Sequence, residues 1–214
     1  MMQRTTNGLW SEVPIDNDPT GWTQGVTMPD PIPPQDLLER TLAEATRDTQ
    51  TVTPEGAPVT KLLHGMRIRR SPTHVDDRGT LTEIFDPRWD WHPDPLLYVY
   101  YITEKPGHAK GWALHKLHED RYFLIRGETE FVTYDVRPDS PTVGQICKVV
   151  LSERDHFVIN IPANVWHATL NTGTDDAIIV NMPTRLYDHT NPDKYRLPID
   201  TPMIPYSFGD APGW

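Results

Sequence analysis

Cysteine is nearly absent: the 214 residues hold one, Cys147. No internal disulfide is open to the chain, and a reducing compartment is the simpler setting. Cys147 lies in an alternating β-type run, with no helix start or cationic partner to draw out a thiolate, and reads as a small core residue. Cations are scarce as well. Lys plus Arg number 20 against 30 Asp plus Glu, a formal net charge of −10. That balance argues against nucleic acid and anionic membranes as general partners, yet leaves room for a small anionic ligand held by a few local cations. No apolar run approaches the roughly 20 residues that a membrane span requires. The opening Met1-Met-Gln-Arg-Thr-Thr-Asn lacks the apolar core of a signal peptide. The expectation is a soluble, cytoplasmic protein without internal repeats or low-complexity tracts.

Proline, by contrast, is abundant, at 22 residues, and unevenly placed. Residues 1–60 carry Pro14, Pro19, Pro29, Pro31, Pro33, Pro34, Pro54 and Pro58 with little alternation. One helix is predicted there, from Pro34 through Leu37, Leu38, Leu42 and Ala45. The segment reads as an extension that wraps a neighbour or stays partly mobile, and Trp10 and Trp22 favour wrapping. From Lys61 the texture changes to short β runs between turns, among them Arg67–Arg70, Thr80–Phe85, Leu96–Ile102, Arg121–Ile125, Thr129–Tyr134 and Ile146–Leu151. His156–Ile161, Ala168–Leu170 and Ala177–Val180 continue the series. Strands at this spacing mean a sandwich or barrel. The predicted organisation is an extension over 1–60, an all-β barrel with a C-terminal strap over 61–208, and a tail over 209–214.

The most informative stretch is Pro162-Ala-Asn-Val-Trp-His167-Ala-Thr-Leu-Asn171. Proline ends the preceding strand, and Asn164 tolerates the left-handed conformation of a tight turn. His167 is thereby set at the start of the next strand, where an imidazole suits a ligand or proton-transfer role. Upstream, Lys110-Gly-Trp-Ala-Leu-His115-Lys-Leu-His118-Glu-Asp120 and the glycine at 127 read as strand, turn, strand. His115, Asp120 and His167 then share a lumen. Two imidazoles and one carboxylate form a facial set for Fe(II) or another divalent transition metal. Without metal they form a proton-transfer set. His118 has the opposite strand parity to His115 and reads as surface. Asp120 with Arg121 is read evenly as a site residue or an ordinary ion pair. Arg67, Arg69 and Arg70 read as a solvated edge strand.

These two segments resemble the signature motifs of the cupin superfamily, small jelly-roll (double-stranded β-helix) barrels. More narrowly, residues 65–208 resemble the sugar-nucleotide cupins typified by dTDP-4-dehydrorhamnose 3,5-epimerase. The resemblance rests on Asp77-Arg78-Gly79-Thr-Leu-Thr-Glu83, Lys110-Gly111, Tyr134-Asp135-Val-Arg137-Pro-Asp-Ser140-Pro141-Thr142, Ile161-Pro162 to His167, and Tyr187-Asp-His-Thr-Asn-Pro-Asp193 followed by Asp200. It implies an epimerase or ketoisomerase-like enzyme without a cofactor, acting on a nucleotide-linked 4-keto-6-deoxy sugar through an enolate. It also implies a homodimer formed at a sheet edge. Arg78, Glu83 and Lys110 would hold the nucleotide, Arg78 and Glu83 from a second subunit, and Asn171 and Asn181 would complete substrate binding. The departures are as informative. The family's catalytic histidine falls at Ala113, its tyrosine at Asn181, and its lysine before a glycine at Asp120. His115 or His167 is then the candidate base, oriented by Asp120 or Asp200. Two further readings stay open: a metal-dependent oxygenase or isomerase using His115, Asp120 and His167, and a ligand-binding cupin without activity.

Overall fold

The computed structural model describes residues 2–4, 10–12 and 34–213, and its contacts divide the chain into residues 1–50 and 51–214. The first unit pairs β1 (Met2–Arg4) with β2 (Trp10–Glu12) antiparallel and holds one helix, α1 (Pro34–Glu44). Proline opens α1 because its missing N–H would be unsatisfied in the first turn anyway. The helix falls where the leucine spacing predicts it, and Leu37, Leu38 and Leu42 are exposed. Trp22 and the side chain of Trp10, on which the wrapping expectation rests, lie outside the described residues.

The second unit is all-β. It runs β3 (Ile68–Arg70), β4 (Thr73–Asp76), β5 (Gly79–Thr82), β6 (Tyr100–Glu104), β7 (Ala109–Leu114) and β8 (Asp120–Arg126). It continues with β9 (Glu128–Asp135), β10 (Ile146–Ser152), β11 (Phe157–Ile161), β12 (Val165–Asn171), β13 (Ala177–Asn181) and β14 (Tyr195–Arg196). Two five-stranded antiparallel sheets, ordered β10-β9-β12-β7-β14 and β3-β11-β8-β13-β6, make the jelly roll of the cupin type. β4 and β5 form a separate hairpin. Within residues 209–213, the described part of the expected tail, Pro212 O accepts from Ala109 N–H of β7 and Gly213 bridges Ala109.

The central strands are apolar on both faces because both are covered. Phe131, Leu151, Ile159, Ile161 and Ile179 fill the space between the sheets. On the outer face of the second sheet, Phe123, Val158, Val180 and Met182 pack against Ile84, Phe85 and Trp91. On the outer face of the first, Trp112, Val132 and Ala168 lie under Ile204 and Phe208 of the C-terminal strap. Each such fully buried side chain contributes roughly 1.5–3 kcal/mol. Cys147 is a buried core residue of β10, as composition suggests. β3 is an edge strand, and Arg69 stacks its guanidinium on Trp89 rather than entering the lumen.

The evenly weighed ion pair between Asp120 and Arg121 does not form, because adjacent strand residues point to opposite faces. Asp120 enters the lumen. Arg121 turns outward, completely buried, and donates to the carbonyls of Met182 (2.7 Å), Asp94 (2.9 Å) and Pro95 (2.9 Å). One guanidinium thus fastens the loop before β6 to the barrel wall.

Candidate active site

Strand register assembles the lumen as two facing rows. On the first sheet, Arg196 of β14 pairs with Ala113 of β7, and Ala113 pairs with His167 of β12. On the second, Asn181 of β13 pairs with Tyr100 of β6 on one side and Tyr122 of β8 on the other. Between the rows lies a cleft of about 880 Å³ that also meets Lys105, Lys110 and Lys194. In a chain of net charge −10, these cations make one opening locally positive.

Around His167, which lines the cleft, three imidazoles converge on one carboxylate. His115 Nε2 lies 3.2 Å and His167 Nε2 3.6 Å from Asp120 Oδ2, and His118 Nε2 lies 3.5 Å from Asp120 Oδ1. The expected surface position of His118 is therefore corrected. β7 ends at Leu114, so strand parity does not run through to 118. The loop curls back and stacks the His118 ring on His115, with centroids 4.2 Å apart. The agent of that curl is Asp193. Its carboxylate accepts from Lys116 N–H (2.9 Å), Leu117 N–H (2.8 Å) and His118 Nδ1 (2.9 Å), and its carbonyl accepts from His115 Nδ1.

The other ring nitrogens fix the tautomers. His115 and His118 turn Nδ1 to oxygens of Asp193, and His167 turns Nδ1 to the carbonyl of Val165 at 3.3 Å. A carbonyl only accepts, so His115 and His167 carry Nδ1 protons and aim Nε2 at the centre. Among the described residues, His167 Nε2 and Asp120 Oδ1 are buried without a hydrogen-bond partner. Burial pulls the His167 pKa down to about 4 against the attraction of Asp120, so this imidazole is neutral. For His115 burial is the largest single influence and opposes charge, but the hydrogen bond to Asp120, the charge of Asp120 and the Asp193 carbonyl together outweigh it and the pKa is raised. Asp120, though buried, is held well below the usual carboxylate range by His115 and His118. Two imidazoles of one site thus have their basicities driven apart, the pattern of an acid–base pair.

The other predicted residues divide. Lys110 lines the cleft. Asn181 does not line it; it is buried and donates Nδ2–H to the hydroxyl of Tyr100, which does, at 2.8 Å. Asn171 is a turn staple: its amide donates to the carbonyls of Glu104 and Asp175, and its Oδ1 accepts Gly173 N–H. Asp200 is exposed and borders surface depressions of the strap, not the cleft. Asp193 stands where an orienting carboxylate was sought. Arg78 lies on the β4–β5 hairpin, its side chain 84% exposed and bonded to Asp76, and Glu83, just beyond, is also exposed. Lys194, Arg196 and Asp193 were missed because the proline-rich strap has no periodicity to mark an inward face. Their alternate spacing around Tyr195 was the available signal.

The polysaccharide biosynthesis C-terminal domain model matches residues 74–195. A "probable low-salt glycan biosynthesis epimerase" of Haloferax volcanii is 34% identical over 140 residues, covering 64% of this chain and 89% of the relative. The spore coat polysaccharide biosynthesis protein SpsL of Bacillus subtilis is 26% identical over 152 residues, 69% of this chain and 97% of the relative. Among solved structures, a dTDP sugar isomerase from Desulfovibrio desulfuricans G20 superimposes with a TM-score of 0.65 at 23% identity, covering 70% of this chain and 95% of that one.

Proposed function

We propose that this chain, which belongs to the polysaccharide biosynthesis C-terminal domain family, is an epimerase or ketoisomerase-like enzyme acting on a nucleotide-linked 4-keto-6-deoxy sugar through an enolate. The observation that carries the reading is the neutral imidazole of His167, which lines a cleft that also meets Lys110, Lys194 and Arg196. The epimerase name of the 34% identical relative supports it. The lysines and Arg196 hold the diphosphate, since phosphate oxygens seek such clustered donors. The ketone is thereby presented to His167, which removes the proton from the neighbouring carbon. As His167 becomes charged, Asp120 at 3.6 Å stabilises the imidazolium. The electron pair moves to the ketone oxygen as an enolate, and a proton returns to the other face or another carbon. No redox step occurs, so this chemistry needs no cofactor.

The same reading takes the protein as a homodimer. β6 is a sheet edge, and the β4–β5 hairpin exposes Val75 and Leu81. An edge and an apolar hairpin of this kind favour pairing with a second copy, whose cleft Arg78 would then reach. A cytoplasmic setting accords with the single buried thiol; among the described residues no helix is long and apolar enough to cross a membrane. The test is incubation with dTDP-4-keto-6-deoxy-D-glucose in D2O, followed by NMR. Deuterium entering C3 or C5 is the expected result; neither binding nor exchange would end the reading.

One observation favours a second reading in which a divalent ion joins the site. His115, His118 and Asp120 offer ligand atoms that all lie within 4.8 Å of one another. The Nδ1 anchoring of each ring is the arrangement that orients metal-binding imidazoles. Nε2 lone pairs aimed at a carboxylate repel it unless protons or a cation intervene. His115, His118 and Asp120 fit a borderline or hard divalent ion such as Fe(II), with His167 alongside. When bound, such an ion polarises the ketone oxygen. Metal analysis before and after chelation tests it: one equivalent per chain, lost in His118→Ala, supports this reading, and a metal-free protein with unchanged activity refutes it.

A further inference from the structure

Glu104 lines the cleft, yet the chemistry above gives it no part. It ends β6 on the second sheet and is buried. Its Oε1 reaches across to the first sheet and accepts two hydrogen bonds, from the Thr169 hydroxyl at 2.8 Å and from the backbone N–H of Lys110 at 3.0 Å. Those two residues are Cα partners on β12 and β7, at one end of a register shift. Between the Thr169–Lys110 and His167–Ala113 pairs, β12 advances two residues and β7 three. Such a bulge bends its strand, disrupts the ladder locally and re-aims a side chain. Here the carboxyl of Glu104 takes up the Lys110 donor. Glu104 is itself fixed, because Asn171 Nδ2 donates to its backbone carbonyl at 2.7 Å.

From this geometry we infer that Glu104 is a positioning residue that acts through Lys110: by holding the Lys110 backbone at the bulge, it aims the ammonium at the diphosphate of the nucleotide sugar. The inference rests on the reading of Lys110 as a diphosphate ligand given above. Lysine carries its charge on a flexible four-carbon stem, so where the ammonium arrives depends on the direction in which the backbone launches it. The two side chains also sense each other. Burial raises the Glu104 pKa, while the Thr169 hydroxyl, the Lys110 N–H and the Lys110 charge pull it back. The bond to Thr169 joins the two sheets; the bond to Lys110 is the one that reaches the cationic opening.

The experiment measures dTDP affinity by calorimetry, and deuterium exchange at saturating dTDP-4-keto-6-deoxy-D-glucose, for wild type, Glu104→Ala, Glu104→Gln, Lys110→Ala and the double variant Glu104→Ala with Lys110→Ala. Glu104→Ala is expected to weaken dTDP at least about tenfold, the scale of one lost charge-assisted hydrogen bond. Exchange at saturation should stay within about threefold, since only binding is touched. In the Lys110→Ala background the same substitution should change affinity by less than about twofold, because its agent is gone. Glu104→Gln keeps an oxygen for the Lys110 N–H and should bind dTDP within about threefold of wild type. If Glu104→Ala does not fold, Glu104→Asp, which withdraws the acceptor by one methylene, should weaken dTDP at least about threefold by the same route. Unchanged affinity in the folded variant, a loss in Glu104→Gln as large as in Glu104→Ala, or a loss undiminished without Lys110 would overturn the proposal and leave Glu104 a fastener of the sheets. Lys110→Ala binding dTDP as wild type does would instead overturn the diphosphate reading beneath it.

Discussion

Replacing Asp193 with alanine removes the group that sets two of the three imidazoles. Its carboxylate accepts three hydrogen bonds, from Lys116 N–H, Leu117 N–H and His118 Nδ1, and its side chain is 14% exposed. Each bond is worth about 1 kcal/mol net, and the two backbone donors regain water in the variant, so about 2–3 kcal/mol is lost. In a domain of this size 1 kcal/mol moves Tm by about 2–4 °C, and the melting point is expected to fall by about 4–12 °C. Function suffers more. With the 115–119 loop released, the His115 and His118 rings drift, Asp120 loses two of its partners, and a displacement of about 1 Å costs about 100-fold in rate. Thermal melting and deuterium exchange on the same sample measure both. Asp193→Asn, which retains an acceptor oxygen, should recover part of the stability and little of the activity. A Tm within 1 °C of wild type together with unchanged exchange would refute the assignment of Asp193 as the orienting residue.

Arg121→Met leaves the buried carbonyls of Met182, Asp94 and Pro95 without their donor, and urea denaturation should register a loss of at least about 3 kcal/mol; less than 1 kcal/mol would contradict it. Asp135 is buried, yet Arg137, Ser140 and Thr142 hold its carboxyl well below the usual range. A depressed folded-state pKa stabilises above the unfolded value of about 3.8 and loses that effect as pH falls towards the folded one. The deficit of Asp135→Asn against wild type should therefore be full at pH 6 and shrink steadily below about pH 4 in melts at graded pH; a deficit that grows on acidification would reverse the sign.

The barrel was legible because short runs of β-prone residues alternate with turn residues from Lys61 onward. The turn at Asn164 was legible too: its φ of 61° is the left-handed conformation that its side chain tolerates. What failed to read out were contacts made by irregular segments. His118 was misplaced by extending strand parity past Leu114, where the ladder stops and Asp193 takes over the backbone donors. Asp200 was preferred to Asp193 because nothing in a proline-rich strap tells an inward carboxylate from an outward one. Asn171 matched a motif, but its donors and acceptor are spent on the turn after β12.

The central claim is that His167 removes a proton from a carbon beside a ketone. His167→Asn removes the base while keeping a polar side chain of smaller volume in the wall. Calorimetric binding of dTDP should persist within a fewfold, since the cations of the rim are untouched. Deuterium incorporation from D2O into the bound 4-keto sugar should fall at least about 100-fold. Incorporation at the wild-type rate in His167→Asn, with binding intact, would contradict the account.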